Sequence, residues 1–293
     1  MKIGFVGLGR MGAAMAPRLL DAGHDLGVFD LNQQHTATLG QAGAKVAASL
    51  AELCQHQDVI ITMLPTDQAL EAVTLGEHGL VASMTGSTIH MTSGTHSVAT
   101  IQSVDGAHKE AGQSFVASHV LGRPDLAAKG EIGLVPAGPS EAVNFLTPVF
   151  EALGRRVFDA GEDPASAAAV KIAHNFVLGC AIEAIGEGMA LVRKYGVDSS
   201  LLYDVLTEGL FDSIAYKVYG EIIARESWDA LGASAVIGLK DANLALQAGQ
   251  AVGVPLPSAN VWRDRLLAAC KKGDAENDWA VMAREQFRAS GLE

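Results

Sequence analysis

The residues that most restrict what this chain can fold into lie at its beginning. Ile3, Gly4, Phe5 and Val6 form a short apolar β run that leads directly into Gly7-Leu8-Gly9-Arg10-Met11-Gly12. Good helix formers follow from Ala13 to Ala22, and Gly23 ends them. In a strand, glycine turn and helix of this kind, Gly7 permits the tight turn, Gly9 lets a ligand approach the backbone, and Gly12 lets helix and strand pack closely. The free N–H groups and the positive end of the helix favour a diphosphate, so Gly7, Leu8, Gly9, Arg10, Met11 and Gly12 are expected to hold a dinucleotide. Asp30 closes the second strand, Leu26 to Phe29, and lies 18 positions after Gly12. A carboxylate there accepts hydrogen bonds from the adenosine ribose hydroxyls and repels a 2′-phosphate. No Arg or Lys follows until Lys45, so NAD is expected over NADP.

Beyond the loop the first half alternates strand and helix. Gln33 to Gly40 reads as helix, Lys45 to Ala47 as strand, Ser49 to Cys54 as a helix capped by Ser49, and Asp58 to Leu64 as a strongly apolar strand. The rhythm continues through Gln68–Val73, Thr88–Met91, His96–Glu110, Phe115–Ser118 and Gly133–Ala137. Val59-Ile60-Ile61 is continuous rather than alternating, as strands of a parallel sheet buried on both faces are. After Gly161 the texture turns helical, opening with a long apolar helix from about Ala165 to Tyr195. For 293 residues two domains are the natural division. The expected architecture is an α/β N-terminal Rossmann domain, a doubly wound parallel sheet over 1–161, plus an all-α C-terminal domain over 162–293, linked by the long helix.

Composition removes several classes. With 21 Lys and Arg against 33 Asp and Glu, the net charge of −12 repels polyphosphates and anionic lipid, so no nucleic acid or membrane partner is expected. Cys54, Cys180 and Cys270 are widely spaced and read as reduced thiols, neither a disulfide framework nor a metal site. No secretory signal precedes the first strand, and a cytoplasmic protein is expected. The long helix has the length of a membrane span, but Lys171, Glu183 and Glu187 interrupt it, which fits a buried helix better.

Four blocks in order, running nearly end to end, resemble the β-hydroxyacid dehydrogenase family, which includes 3-hydroxyisobutyrate dehydrogenases and is related to 6-phosphogluconate dehydrogenase and the imine reductases. They are Gly7 to Ala16, Met63-Leu64-Pro65, Lys171-Ile172-Ala173-His174-Asn175, and Gly238-Leu239-Lys240-Asp241-Ala242-Asn243-Leu244-Ala245. The resemblance implies a small-molecule substrate, a homodimer or homotetramer built through the helical domain, and cofactor contacts at Leu64, Pro65, Ser93 and Lys240. It also implies catalytic duty for Lys171 and Asn175. A hydride exchanged at carbon needs a proton exchanged at oxygen, and a desolvated lysine can serve near neutral pH. Asn175, four residues on, shares the helix face of Lys171 and can orient the substrate oxygen or the ammonium. His174 is displaced around the helix and reads as structural.

Two segments depart from the family pattern. Many members carry Asp-Ala-Pro-Val-Ser-Gly-Gly, whose serine and glycines hold a substrate carboxylate, where this chain has Ala117-Ser118-His119-Val120-Leu121-Gly122-Arg123. His119, Leu121, Gly122 and Arg123 are therefore the expected substrate contacts, with Arg123 able to bind a carboxylate bidentately and Leu121 making the pocket more apolar. Ala165-Ser166-Ala167 stands where the family has Gly-x-Gly, narrowing close approach to the helix start. The expected activity is NAD(H)-dependent hydride transfer to or from a small hydroxyacid, semialdehyde or related carbonyl compound. Imine reduction is the alternative of the same class, and a non-catalytic dinucleotide-binding protein is the alternative of another.

Overall fold

The structure, a computed structural model, describes residues 1–229 and 232–293. It divides into two compact units, Met1–Lys171 and Ile172–Glu293, and the long helix Pro164–Lys194 runs through the division.

The first unit is built on an eight-stranded sheet: β1 Lys2–Val6, β2 Asp25–Phe29, β3 Lys45–Val46, β4 Val59–Thr62, β5 Ile89–Thr92, β6 Ser114–Leu121, β7 Ile132–Ala137 and β8 Gly154–Val157. The order is β3-β2-β1-β4-β5-β6-β7-β8. The order reverses between β1 and β4, so the crevice at their carboxyl ends is the switch point where such sheets bind ligands. All four residues of β4 are buried. Val59 and Ile61 join a core with Met15, Ala16 and Leu19 of the helix Arg10–Asp21, while Ile60 packs on the opposite face with Val6, Leu53 and Leu80. That two-sided burial is why the sequence shows an unbroken apolar run.

The expectation of a wholly parallel sheet needs correction at one edge, because β7 runs antiparallel to β6. Residues 122–131 are too short for a crossover that carries the chain back along the sheet, and their helix Pro124–Lys129 spans only six residues. The chain therefore reverses and pairs with the strand it has just left. The helix after the glycine loop also starts earlier than its composition suggests, at Arg10 with Gly9 as N-cap. Gly12 lies inside it, and the position must be glycine because a Cβ there would come within 2.0 Å of the Gly7 carbonyl oxygen.

A polar chain crosses the sheet interior. Thr62 Oγ1 lies 2.9 Å from His90 Nε2, His90 Nδ1 lies 2.8 Å from His108 Nε2, and His108 Nδ1 lies 2.8 Å from Gln113 Oε1. The Gln113 amide donates to the carbonyl oxygens of Val81 and Met84, so its Oε1 must accept and the direction of every preceding bond follows. Burial lowers the pKa of both imidazoles, that of His90 well below the usual value.

The second unit is helical. Besides its share of the long helix it contains Ser199–Thr207, Ile214–Ala224, Ala235–Ala251, Pro257–Ala269 and Met282–Ala289. The Trp262 indole lies so close over Gly179 that a Cβ there would come within 2.3 Å of the ring. Trp279 meets Trp262 edge-on at 6.1 Å and Tyr219 at 5.9 Å. Within the long helix Glu183 is buried against Arg265, whose Nε donates at 2.9 Å. All three cysteines are free thiols, and burial pushes that of Cys54 up to about 11.

Candidate active site

The carboxyl ends of β1, β2, β4 and β5 build a glycine-lined cradle. Gly7 has φ +93°, and a Cβ on it would come within 2.5 Å of the Met63 carbonyl oxygen. At Gly9 the same construction meets nothing within 4 Å, so two glycines are required by backbone and the third opens to solvent at a helix N-terminus. The backbone N–H of Leu8 donates to Asp30 Oδ2 at 2.6 Å, and that of Asn32 donates to Oδ1 at 2.7 Å. Asp30 is thus fixed beside the loop before any ligand arrives. Lys45 is directed elsewhere, to Asp25 at 3.0 Å, whereas His35 Nδ1 sits 3.2 Å from Asp30 Oδ1.

The turn after β5 closes the cradle. Ser93 N–H donates to the Thr62 carbonyl oxygen at 2.8 Å, tying the turn to the end of β4. A Cβ on Gly94 would lie 2.3 Å from the Leu64 carbonyl oxygen, so the Leu64-Pro65 segment and the Ser93 turn are in close contact. Ser93 Oγ and Thr92 Oγ1 are buried without a hydrogen-bond partner. Buried hydroxyls in that state, at the same end of the sheet as an open glycine and a fixed carboxylate, fit a dinucleotide that brings its own polar groups.

The predicted substrate residues lie on and just after β6. His119 and Leu121 are strand residues rather than loop residues. His119 is fully buried, and its Nδ1 donates to the Gly94 carbonyl oxygen at 2.6 Å, which places it against the β5 turn. Leu121 and Phe158 both lie over Gly133, and Leu121 packs against a cluster that includes Leu70 and Ile101. Gly122 has φ +151° and leaves no room for a Cβ, which would meet Ile132 at 2.8 Å. Arg123 N-caps Pro124–Lys129 and its Nε lies 3.3 Å from Asp125 Oδ1.

On the long helix Lys171 and Asn175 are one turn apart, 7% and 6% exposed. Asn175 Nδ2 donates to Asp241 Oδ2 at 2.7 Å, and Lys240 Nζ lies 3.0 Å from Asp241 Oδ1. A carboxylate only accepts, so Asp241 fixes which end of the Asn175 amide is nitrogen. Asn175 Oδ1 lies 3.1 Å from His174 Nδ1, which gives His174 a packing and bonding partner within the helix.

Residues 2–161 match the family profile described as the NAD binding domain of 6-phosphogluconate dehydrogenase. Residues 165–285 match the one described as NAD-binding of NADP-dependent 3-hydroxyisobutyrate dehydrogenase. The chain belongs to the β-hydroxyacid dehydrogenase family. It is 37% identical to the Bacillus subtilis oxidoreductase YfjR, over 97% of this chain and 99% of that protein. It is 33% identical to an NAD-dependent L-serine dehydrogenase of Pseudomonas aeruginosa, over 97% of each chain. The fold matches the crystal structure of a 3-hydroxyisobutyrate dehydrogenase from Salmonella typhimurium with a TM-score of 0.86 at 28% identity, covering 97% of this chain and 99% of that one.

As a β-hydroxyacid dehydrogenase family member the chain is an NAD(P)-dependent oxidoreductase acting on CH–OH groups. Three of its site features carry no local sequence signal. Asp241 stands in a recognisable block, but only folding across 66 positions brings it to Asn175. Asp67 and His96 carry no local signal, yet His96 Nδ1 lies 3.2 Å from Asp67 Oδ1 and its ring packs against Gly94. His35 escapes notice because only helix geometry returns it to Asp30.

Proposed function

We propose that this chain is an NAD(H)-dependent dehydrogenase of the 3-hydroxyisobutyrate dehydrogenase type, acting on a small hydroxyacid or the corresponding semialdehyde. The nicotinamide, when bound, supplies the hydride acceptor or donor. Gly7 to Gly12 would hold the diphosphate, Asp30 the adenosine ribose, and Leu64, Pro65, Ser93 and Lys240 the remainder. The observation that carries the reading is Lys171, a buried lysine one helical turn from an asparagine whose amide is locked by Asp241.

In the oxidising direction the Lys171 amine takes the hydroxyl proton from the substrate oxygen; in the reducing direction the ammonium returns it. Asn175 presents a fixed amide for the same oxygen or for the lysine, and its orientation needs no adjustment during turnover. Preference for NAD over NADP rests on Asp30, whose carboxylate is already held by two backbone N–H groups and whose charge opposes a 2′-phosphate. Leu121 in place of the family serine favours a substrate that is more apolar, or anchored differently, than 3-hydroxyisobutyrate, with Arg123 the candidate carboxylate anchor. The exposed apolar residues Val177, Leu191, Leu201 and Val205 of the helical unit support a homodimer or homotetramer, and the free cysteines support a cytoplasmic setting.

Imine reduction is the second reading, favoured by the same Leu121 departure and opposed by the retained lysine. The deciding experiment screens NAD⁺ reduction and NADH oxidation across hydroxyacids, semialdehydes, ketones and imines. Turnover confined to hydroxyacids and semialdehydes is the expected result. Turnover of imines alone, or none with any compound, would reject the proposal.

A further inference from the structure

Gly94 is gripped from two sides by histidines. From β6, His119 donates its Nδ1–H to the Gly94 carbonyl oxygen at 2.6 Å, with the whole residue inaccessible to solvent. A carbonyl oxygen can only accept, so the bond also fixes the ring's tautomer. On the other side His96, equally buried, lies so close that a Cβ on Gly94 would come within 2.5 Å of its Nε2. Its Nδ1 is 3.2 Å from Asp67 Oδ1, which also accepts the Ser97 backbone N–H at 3.0 Å. Burial tends to raise the pKa of Asp67, but hydrogen bonds from His96 and Ser97 outweigh it and hold the carboxyl at about 2. The anchor of the second clamp is therefore ionised throughout the working pH range.

The position of this clamp gives it a purpose. Gly94 directly follows Ser93, whose hydroxyl is buried and unpartnered, and it touches the Leu64 carbonyl oxygen. Turns at strand ends are the freest part of an α/β sheet, and a glycine loses the most conformational freedom on being fixed. Many family members carry proline at the position that matches His119, and proline has no side-chain donor to offer. We propose that His119 and the His96–Asp67 pair are positioning residues that fix the Ser93–Gly94 turn for the nicotinamide half of the dinucleotide, and that His119 does not touch the substrate. The inference rests on the dinucleotide reading given above.

The test compares wild type with His119→Phe, which keeps a ring but no donor, and His119→Asn, whose Nδ2 can reach the same carbonyl oxygen. Calorimetry measures binding of NADH and of ADP, which lacks the nicotinamide half. His119→Phe should weaken NADH by about tenfold or more and leave ADP within about twofold, and His119→Asn should restore NADH binding to within about threefold of wild type. Long-range ¹H–¹⁵N spectra of the protein without cofactor should show His119 protonated at Nδ1. Unchanged NADH binding in His119→Phe, equal losses for NADH and ADP, or the Nε2 tautomer would overturn the proposal. Wild type binding neither ligand would instead remove the dinucleotide reading, and the inference with it. Asp67→Ala loosens the clamp from the other side without altering β6, so the same pair of titrations decides the matter if His119→Phe does not fold. Selective loss of NADH binding supports the proposal, and no selective loss rejects it.

Discussion

Asn175 and Asp241 form a buried side-chain pair, Nδ2 to Oδ2 at 2.7 Å, that sets the orientation of an amide one turn from Lys171. Removing the carboxylate leaves a buried amide without its acceptor. Asp241→Ala should lower stability by roughly 1–3 kcal/mol, and it should reduce kcat because the amide is free to rotate. Thermal melts and steady-state kinetics on the same preparation check both effects. Asn175→Asp would set two carboxylates in contact and should be the more damaging change.

Lys171→Ala should lower kcat by about two orders of magnitude or more while NADH titration stays near the wild-type value. Lys171→Arg should be nearly as poor, because a guanidinium does not give up its proton at neutral pH. Turnover retained in either variant would remove Lys171 from the proton path.

The proposed role of Asp30 in choosing the dinucleotide can be tested directly. Asp30→Ala should lower kcat/KM with NAD by about tenfold and narrow the gap to NADP, since the change removes both the ribose acceptor and the charge facing the 2′ position. The ratio of the two efficiencies is the quantity to measure. A ratio that does not move would place the selectivity elsewhere, with His35 the nearest candidate.

Glu183 makes the helical unit sensitive to pH. Burial first, and the nearby Glu187 in addition, raise its pKa to about 7 against the opposing pull of Arg265. The folded state therefore holds a proton that the unfolded state releases at about 4.5. This contribution to stability is full below the unfolded value and is lost as pH rises toward 7. Glu183→Gln should flatten that part of the stability curve in denaturant titrations carried out at several pH values.

The histidine chain beneath β4 and β5 acts in the opposite sense. His90 and His108 have lowered pKa values in the folded protein, chiefly through burial, so the unfolded state binds protons first as pH falls below 6.5. Stability from this chain is present above that value and is lost on acidification. A His90→Asn, His108→Gln double variant should lose this acid-side slope. Its hydrogen exchange at Thr62 should rise, because the imidazole that accepts from the threonine hydroxyl is lost.

What the sequence reveals is what local chemistry determines. The glycine loop, Asp30, the two-sided strand Val59–Thr62 and the Lys171–Asn175 spacing each depend on neighbours within one or two turns of chain. The reversal at β7, the edge strand β8, the Asp241 pairing and the double clamp on Gly94 depend instead on register between segments far apart. His119 shows the limit well. Its residue type points to chemistry, but only the register of distant strands brings its ring to a backbone carbonyl 25 positions away.

The antiparallel β7 has a consequence for how such an enzyme diversifies. Leu121 pairs with Gly133, so residues 122–131 leave and re-enter the sheet at the same rim, the one toward which β1, β4 and β5 also open. A segment tethered at two adjacent points can change length or composition without disturbing strand order or the cradle beside it. Selection can therefore rewrite about ten residues at this rim while the glycine cradle stays constant. The Arg123 departure lies inside this segment and is the kind of edit that such an arrangement tolerates, whereas Leu121 belongs to the strand.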